Sequence, residues 1–412
     1  MLATTLLVSS PTYLGVFDRP IAQFYLGNFT LAEAKLHQLQ TLLNSGEMNY
    51  YLFDSATFDR LYNCSMLPEA EWERRKRPNW IGAIHFSLAI FYQSLYVLFL
   101  FVMLKKRFWQ HSCYRIMFML GIFDIWGTVI GGMFCGIFAI RGDIFCTNKT
   151  LIYLVGCCQA PVWSGACVTG LILLINRTLD LYDKRVAIAL FGGKKTYIWF
   201  IFPMASYFYL WFFTKPFLFS SILGAGFLYP YLGIPEVKMD LSEYDNLFCG
   251  YHNYFIATIY PLMYLIICVL LWRNGRGGPI SVIQKQIIIQ SIMISILLAL
   301  LAVTYMVMQY ITVPAFMPVA LNFVWQFTHG APVFTYIFIS KSMRNGAGIV
   351  IGKWTSKFRF INHNSTVDPL SITARSSAHN VSTYASQRNA VNNAPMATVP
   401  MLVQSASSFS YM

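Results

Sequence analysis

The chain has 412 residues, 56% of them hydrophobic and only 11% charged, with a formal charge of +13 and a mean hydropathy of +0.51. A soluble domain averages about 25% charged residues, so this composition excludes a water-covered globule and makes a lipid bilayer the expected solvent. The basic residues fall in short clusters between apolar runs, the pattern of membrane-flanking charge, which argues against nucleic acid as a partner.

The first stretch, 1–79, reads as an amino-terminal arm. Residues 1–10 are apolar but lack the basic flank of a secretory signal. Thr30 and Glu33 form a capping-box pattern that predicts a short helix ending at Asn44-Ser-Gly46. The block Leu61-Tyr-Asn-Cys-Ser follows, then Glu71-Trp72 and Arg77-Pro78. A bilayer-crossing helix needs about 20 mostly apolar residues. Seven candidates occur, at 80–103, 114–140, 151–176, 196–214, 253–272, 286–310 and 319–340. The expected fold is an all-α seven-helix membrane bundle over 80–340. Residues 217–233 are apolar too, but Gly224, Gly226, Pro230 and Gly233 make them a lid-like loop rather than an eighth span. From about 361 the chain turns rich in Ser, Thr, Asn and Ala, so 341–412 reads as a largely disordered tail.

Lys and Arg counts set the orientation. Lys105, Lys106 and Arg107, then Lys184 and Arg185, then Arg273, Arg276 and Lys285 fall on one side, joined by the tail. The richer side faces the cytosol, which puts the amino terminus outside and the carboxyl terminus inside. Arg74, Arg75, Lys76 and Arg77 crowd the outer end of span 1 and pull the other way. The sequons at Asn28, Asn63 and Asn148 then lie outside, where glycans are expected.

Polar residues inside lipid are costly and mark function. Asp124 lies in the inner half of span 2 and must face the bundle interior, either as a state-dependent polar or cation site or as a protonated carboxyl bonded to a neighbour. Arg177 follows Asn176 at the inner end of span 3, before Asp180. On spacing alone it is either an ion-paired switch or an ordinary interfacial arginine. Pro332 and Tyr336 end span 7 as a proline bend with a polar handle. The outer halves of four spans carry polar and aromatic groups: Gln159 and Trp163 in span 3, Tyr254 and Thr258 in span 5, Tyr305 and Gln309 in span 6. Span 7 adds Trp325, Gln326 and His329. Together they predict a mostly apolar cavity for a small uncharged ligand. His85 in span 1 reads as a satisfied bundle histidine.

Nine cysteines occur, with no CxxC pair and no zinc spacing. Cys146 and Cys249 both fall on the outer, oxidising side and are expected to form a disulfide over the bundle mouth, which leaves Cys64 without an assigned partner. No HExxH, no P-loop, no GxSxG and no paired carboxylates occur. Neither an enzyme nor a bound cofactor or metal is expected.

Seven spans, the outer cysteines and Arg177 resemble a G-protein-coupled receptor. Tyr62-Asn-Cys-Ser, Glu71-Trp, Arg77-Pro and Gly82 resemble more specifically the nematode serpentine receptors of class T. So do Tyr114-Arg-Ile-Met with Asp124, Phe145-Cys146, Ile152-Tyr-Leu-Val-Gly156, Leu173-Leu-Ile-Asn-Arg177 and the Pro332/Tyr336 turn. The likeness covers about 60–345. It implies a chemosensory receptor in the plasma membrane, extending to a sensory-cell cilium, with a heterotrimeric G protein as cytosolic partner. It also implies that Asp124, Arg177 and the Pro332–Tyr336 turn change between states. Asn176-Arg177-Thr178 departs from the Asp-Arg-Tyr of rhodopsin-like receptors, so Asp180 becomes the candidate resting partner of Arg177. The competing reading is a transporter or ligand-gated channel, for which the missing internal repeat and the odd span count fit poorly.

Overall fold

The computed structural model describes residues 49–274, 282–307 and 316–365. The helix expected after Thr30, the sequon at Asn28, Gln309, the side chain of Tyr305 and the tail beyond 365 lie outside the described residues. The chain divides into two units, Met1–Thr355 and Ser356–Met412.

Helices dominate, because a lipid-embedded backbone must bond within its own segment. Three short helices, Tyr50–Phe53, Ser55–Leu61 and Glu69–Arg74, come first. Then follow α1 (Ile81–Met103), α2 (Ser112–Arg141), α3 (Lys149–Tyr182) and α4 (Ile201–Phe213). After a strand pair come α5 (Leu247–Asn274), α6 (Val282–Val307), α7 (Met317–Phe338, broken at Ala331) and α8 (Lys341–Ser365). Among the described residues, five stretches are long and apolar enough to cross a membrane: α1, α2, α3, Gly193–Phe213 and Leu247–Arg273. The sixth expected span contains a shorter apolar stretch, Ser291–Thr304. The seventh is two helices, because Pro332 opens a new segment. On the described residues, then, five of the seven expected spans have both the length and the composition.

α3 is the central helix and keeps most of its residues buried, packing against α2, α4, α5 and α6. Glycines set the closest approaches. A Cβ on Gly82 would lie 2.4 Å from the carbonyl oxygen of Gly136, so α1 and α2 touch backbone to backbone there. Midway along α2 the turns widen into a π-helix over Val129–Phe134. Gly131 in that segment faces the Trp325 ring and Gly132 faces the Gln326 amide, each too close to admit a Cβ. The widened turns therefore make room for α7.

One end of the bundle carries a cap. The segment between α4 and α5 forms β1 (Leu218–Ser220) and β2 (Ala225–Phe227), antiparallel with Leu218 opposite Phe227. Gly224 turns the hairpin at φ +67°, a conformation that costs a side chain energy. Residues 217–233 are thus a buried hairpin and loop, not a span. They share an aromatic core with the arm, built on Phe58, Tyr62, Trp72, Phe145, Tyr231 and Tyr244. The Tyr231 hydroxyl donates across the carbonyls of Leu61 and Asn63 (3.1 and 2.9 Å), and the Tyr244 hydroxyl donates to Leu61 (2.6 Å). Trp72 Nε1 donates to the Cys64 carbonyl at 2.8 Å. The Leu61–Ser65 block is therefore gripped through its backbone.

Cys64 bonds to Cys146, with 5.4 Å between their Cα atoms. The expected Cys146–Cys249 bridge is corrected accordingly. Packing of Phe58 and Tyr62 into the aromatic core carries Cys64 to the Phe145–Thr147 turn, whereas Cys249 opens α5 in the cavity wall. The basic cluster before α1 is also accounted for. Arg74 pairs with Glu71 (2.6 Å), Arg75 with Glu236 (2.7 Å) and Lys76 with Glu73 (2.8 Å). The Arg75 hydrogen bond holds the Glu236 carboxyl below its usual range.

Candidate functional site

A cavity open on one side, with about 630 Å³ of space that includes solvent at its mouth, lies under the hairpin between α3, α5 and α7. Three of the expected pocket residues line it: Gln159, Trp163 and Trp325. Asn253, Asn322 and Cys249, with Phe217 and Gly226 of the hairpin, complete the part of the wall that matters here. Sequence reasoning missed these. On α5 the inward face carries Asn253, Ile256 and Tyr260, one residue out of step with Tyr254 and Thr258. Thr258 is exposed and donates to the Tyr254 carbonyl at 2.9 Å. A helix turns about 100° per residue, so a one-residue error moves a side chain off the cavity.

Gln326 and His329 do not line the cavity. Gln326 faces α1, where His85 Nδ1 lies 2.8 Å from its Oε1 and its Nε2 donates to the His85 carbonyl at 2.7 Å. His329 lies one turn below Trp325. Its ring centroid is 4.5 Å from that of Trp325 and 6.2 Å from that of Trp163. Trp163 is held in turn by Nε1 donating to Asn253 Oδ1 at 2.8 Å. Below this pair of indoles, His329 Nδ1 meets Asp124 Oδ1 at 3.0 Å. The Tyr96 hydroxyl lies 2.8 Å from Asp124 Oδ2 and 2.7 Å from the His329 carbonyl. All three residues are buried. A continuous column thus runs from the cavity floor to Asp124, through aromatic contact and then hydrogen bonds. Tyr336 packs edge-on against Phe99 at 5.6 Å. Among the described residues, its hydroxyl and His329 Nε2 are buried without a hydrogen-bond partner.

The profile of the serpentine type 7TM GPCR chemoreceptor Srt family matches residues 47–360. The chain belongs to that family. Among its relatives is serpentine receptor class T-55 of Caenorhabditis elegans, 28% identical over 296 residues, which cover 69% of this chain and 78% of the relative. The Srt family is one of chemosensory receptors, not of enzymes, and the apolar helices fit a multi-pass membrane protein.

At the end opposite the cap, the Srt chain buries Arg177. Its Nε donates to Asn176 Oδ1 at 3.1 Å, its Nη2 contacts the same oxygen, and its Nη1 meets Asp180 Oδ2 at 3.3 Å. Asn176 Nδ2 donates onward to Ser112 Oγ at 3.2 Å, tying α3 to the start of α2. A guanidinium this buried and this paired differs from a snorkelling interfacial arginine. Pro332 and Tyr336 both lie in the second segment of α7, Pro332–Phe338, just after the break at Ala331. Of the Srt chain's sequons, Asn63 is half-buried with Oδ1 accepting from Ser65 N at 2.8 Å, and Asn148 is half-buried at the start of α3.

Proposed function

We propose that this Srt chain is a chemosensory G-protein-coupled receptor of the plasma membrane with seven spans, the capped end outside and the Arg177 end in the cytosol. A small, mostly apolar ligand binds in the cavity under the hairpin. Its binding shifts a two-state bundle toward a form that engages a heterotrimeric G protein at the Arg177 end.

The observation that carries the reading is the column itself. Trp163 and Trp325 are at once cavity wall and neighbours of His329, and His329 is bonded to Asp124. A ligand that displaces an indole therefore disturbs a buried hydrogen bond one turn away. Buried polar groups without partners are costly, so the Tyr336 hydroxyl and His329 Nε2 favour a rearrangement that satisfies them. The Pro332 break lets the end of α7 move. At the cytosolic end, opening of the Arg177–Asp180 pair releases a guanidinium for a partner. Asn176 and Ser112 position it. Glycans at Asn28, Asn63 and Asn148 belong to the outside face in this reading.

The test is ligand-dependent calcium release in cells carrying a G protein and the surface-tagged receptor. His329→Ala and Trp325→Ala should lower the response at least tenfold with surface level retained. Arg177→Ala should abolish it. Full signalling by Arg177→Ala would remove that residue's role, and full signalling by both α7 variants would sink the column.

A further inference from the structure

Among the described residues the cavity wall contains no charged side chain. Its polar side chains are the carboxamides of Gln159, Asn253 and Asn322 and the Cys249 thiol. The three amides sit on three different helices, α3, α5 and α7. Two of them lie nearer the cap end than an indole on the floor: Gln159 precedes Trp163 by one turn, and Asn322 precedes Trp325 by one turn. The cavity is therefore graded, with hydrogen-bonding groups toward the cap and flat apolar surface below.

Two of the amides, Gln159 and Asn322, are little spent on the protein. Gln159 makes no side-chain hydrogen bond among the described residues, and its Oε1 stands above Gly226, where a Cβ would come within 3.0 Å of it. Asn253 uses its oxygen to hold Trp163, and its side chain also bonds to that of the neighbouring His252. Asn322 Nδ2 has only a long, 3.5 Å contact with His85 Nε2. An amide donates and accepts without charge, so the wall offers donors and acceptors but no counter-ion. An ion placed here would lose its hydration with nothing to pair it. A pure hydrocarbon would cover the amides and leave them unsatisfied.

We infer that the site takes a neutral molecule with an apolar body and one carbonyl or hydroxyl oxygen: the ketone, ester or alcohol class. The body lies on Trp163 and Trp325, and the oxygen is met by Gln159 and Asn322, while Asn253 fixes the Trp163 indole. This rests on the receptor reading above and adds the chemistry that the receptor selects.

The experiment uses the full-length, surface-tagged receptor in the calcium assay. The probes are a methyl ketone, the corresponding secondary alcohol, the alkane, the carboxylate and the primary ammonium ion, all of one chain length. The ketone or the alcohol should be the agonist. The alkane should be at least about tenfold weaker for want of the hydrogen bond, and both ions should be silent. Gln159→Leu, which removes no side-chain hydrogen bond among the described residues, should keep surface level and shrink the ketone-to-alkane ratio at least severalfold. Gly226→Val should weaken all neutral probes by crowding Gln159. A potent carboxylate or ammonium agonist, an alkane equal to the ketone, or an unchanged ratio in Gln159→Leu would each overturn this assignment while the receptor reading stands. Silence to all five probes at proven surface level would count against both.

Discussion

The cap and the bundle are held together by different means. The cap is stitched: residues far apart in sequence are joined by the Cys64–Cys146 bond, by tyrosine hydroxyls on the Leu61–Asn63 carbonyls, and by ion pairs such as Arg75–Glu236. The bundle is packed: glycines admit a neighbouring backbone or ring, and the few buried polar groups bond across helices. The difference follows from the solvent. In lipid, burial of apolar surface supplies little drive between helices, so close van der Waals fit and internal hydrogen bonds must hold them. The cap is irregular backbone with small helices. It gains from an aromatic core and from covalent closure, which limits its unfolded states.

The contrast is open to experiment, and the covalent stitch should give the largest effect. Cys64→Ser or Cys146→Ser should cost about 2–5 kcal/mol and sharply reduce surface display. Cys249→Ser should leave the bond intact by non-reducing peptide mapping, and a Cys146–Cys249 peptide would contradict the structure. Next comes packing. Gly82→Leu forces a side chain onto the Gly136 carbonyl and should cost roughly 1–3 kcal/mol, read as a lower melting point of the solubilised receptor. A smaller loss, about 1 kcal/mol, is expected for Tyr244→Phe, which removes a donor from the Leu61 carbonyl. A variant as stable as the parent would mean that Tyr231 alone satisfies that carbonyl.

The surface pair should give the least. Glu236 is exposed, and its carboxyl is held below its ordinary value of 4.5 by Arg75. A lowered folded value stabilises the cap above 4.5, and that share is lost as pH falls below it toward the folded value. Glu236→Gln should flatten this acid limb slightly and leave neutral-pH stability almost unchanged, as salt-screened surface pairs do. A loss at neutral pH as large as that of the disulfide variants would show that the cap rests on its ion pairs.

Much of the candidate site was legible in the sequence for a simple reason: a polar residue in an apolar run stands out wherever it is. Asp124, Arg177, Gln159 and Trp325 were found that way, and Asp180 as the partner of Arg177 by its spacing of three on a helix. His329 was seen but placed in the pocket wall, because the sequence shows that it is polar and not which neighbour it meets. Asn253 and Asn322 were passed over for Tyr254 and Gln326, since rotation about a helix that is apolar nearly all round leaves no clear stripe to count from.

Composition and span pattern alone, then, determine a helical membrane protein with an amino-terminal arm and a lid-like loop between its fourth and fifth helices, because hydrophobicity and the cost of burying polar groups act locally along the chain. Tertiary structure decided what depends on distance in space. It chose Cys64 over Cys249 as the partner of Cys146, turned three amides into one cavity, and set His329 between the indoles and Asp124. Those choices follow from how glycines and a π-helical segment let α2 and α7 approach, and no spacing rule along a single chain contains that approach.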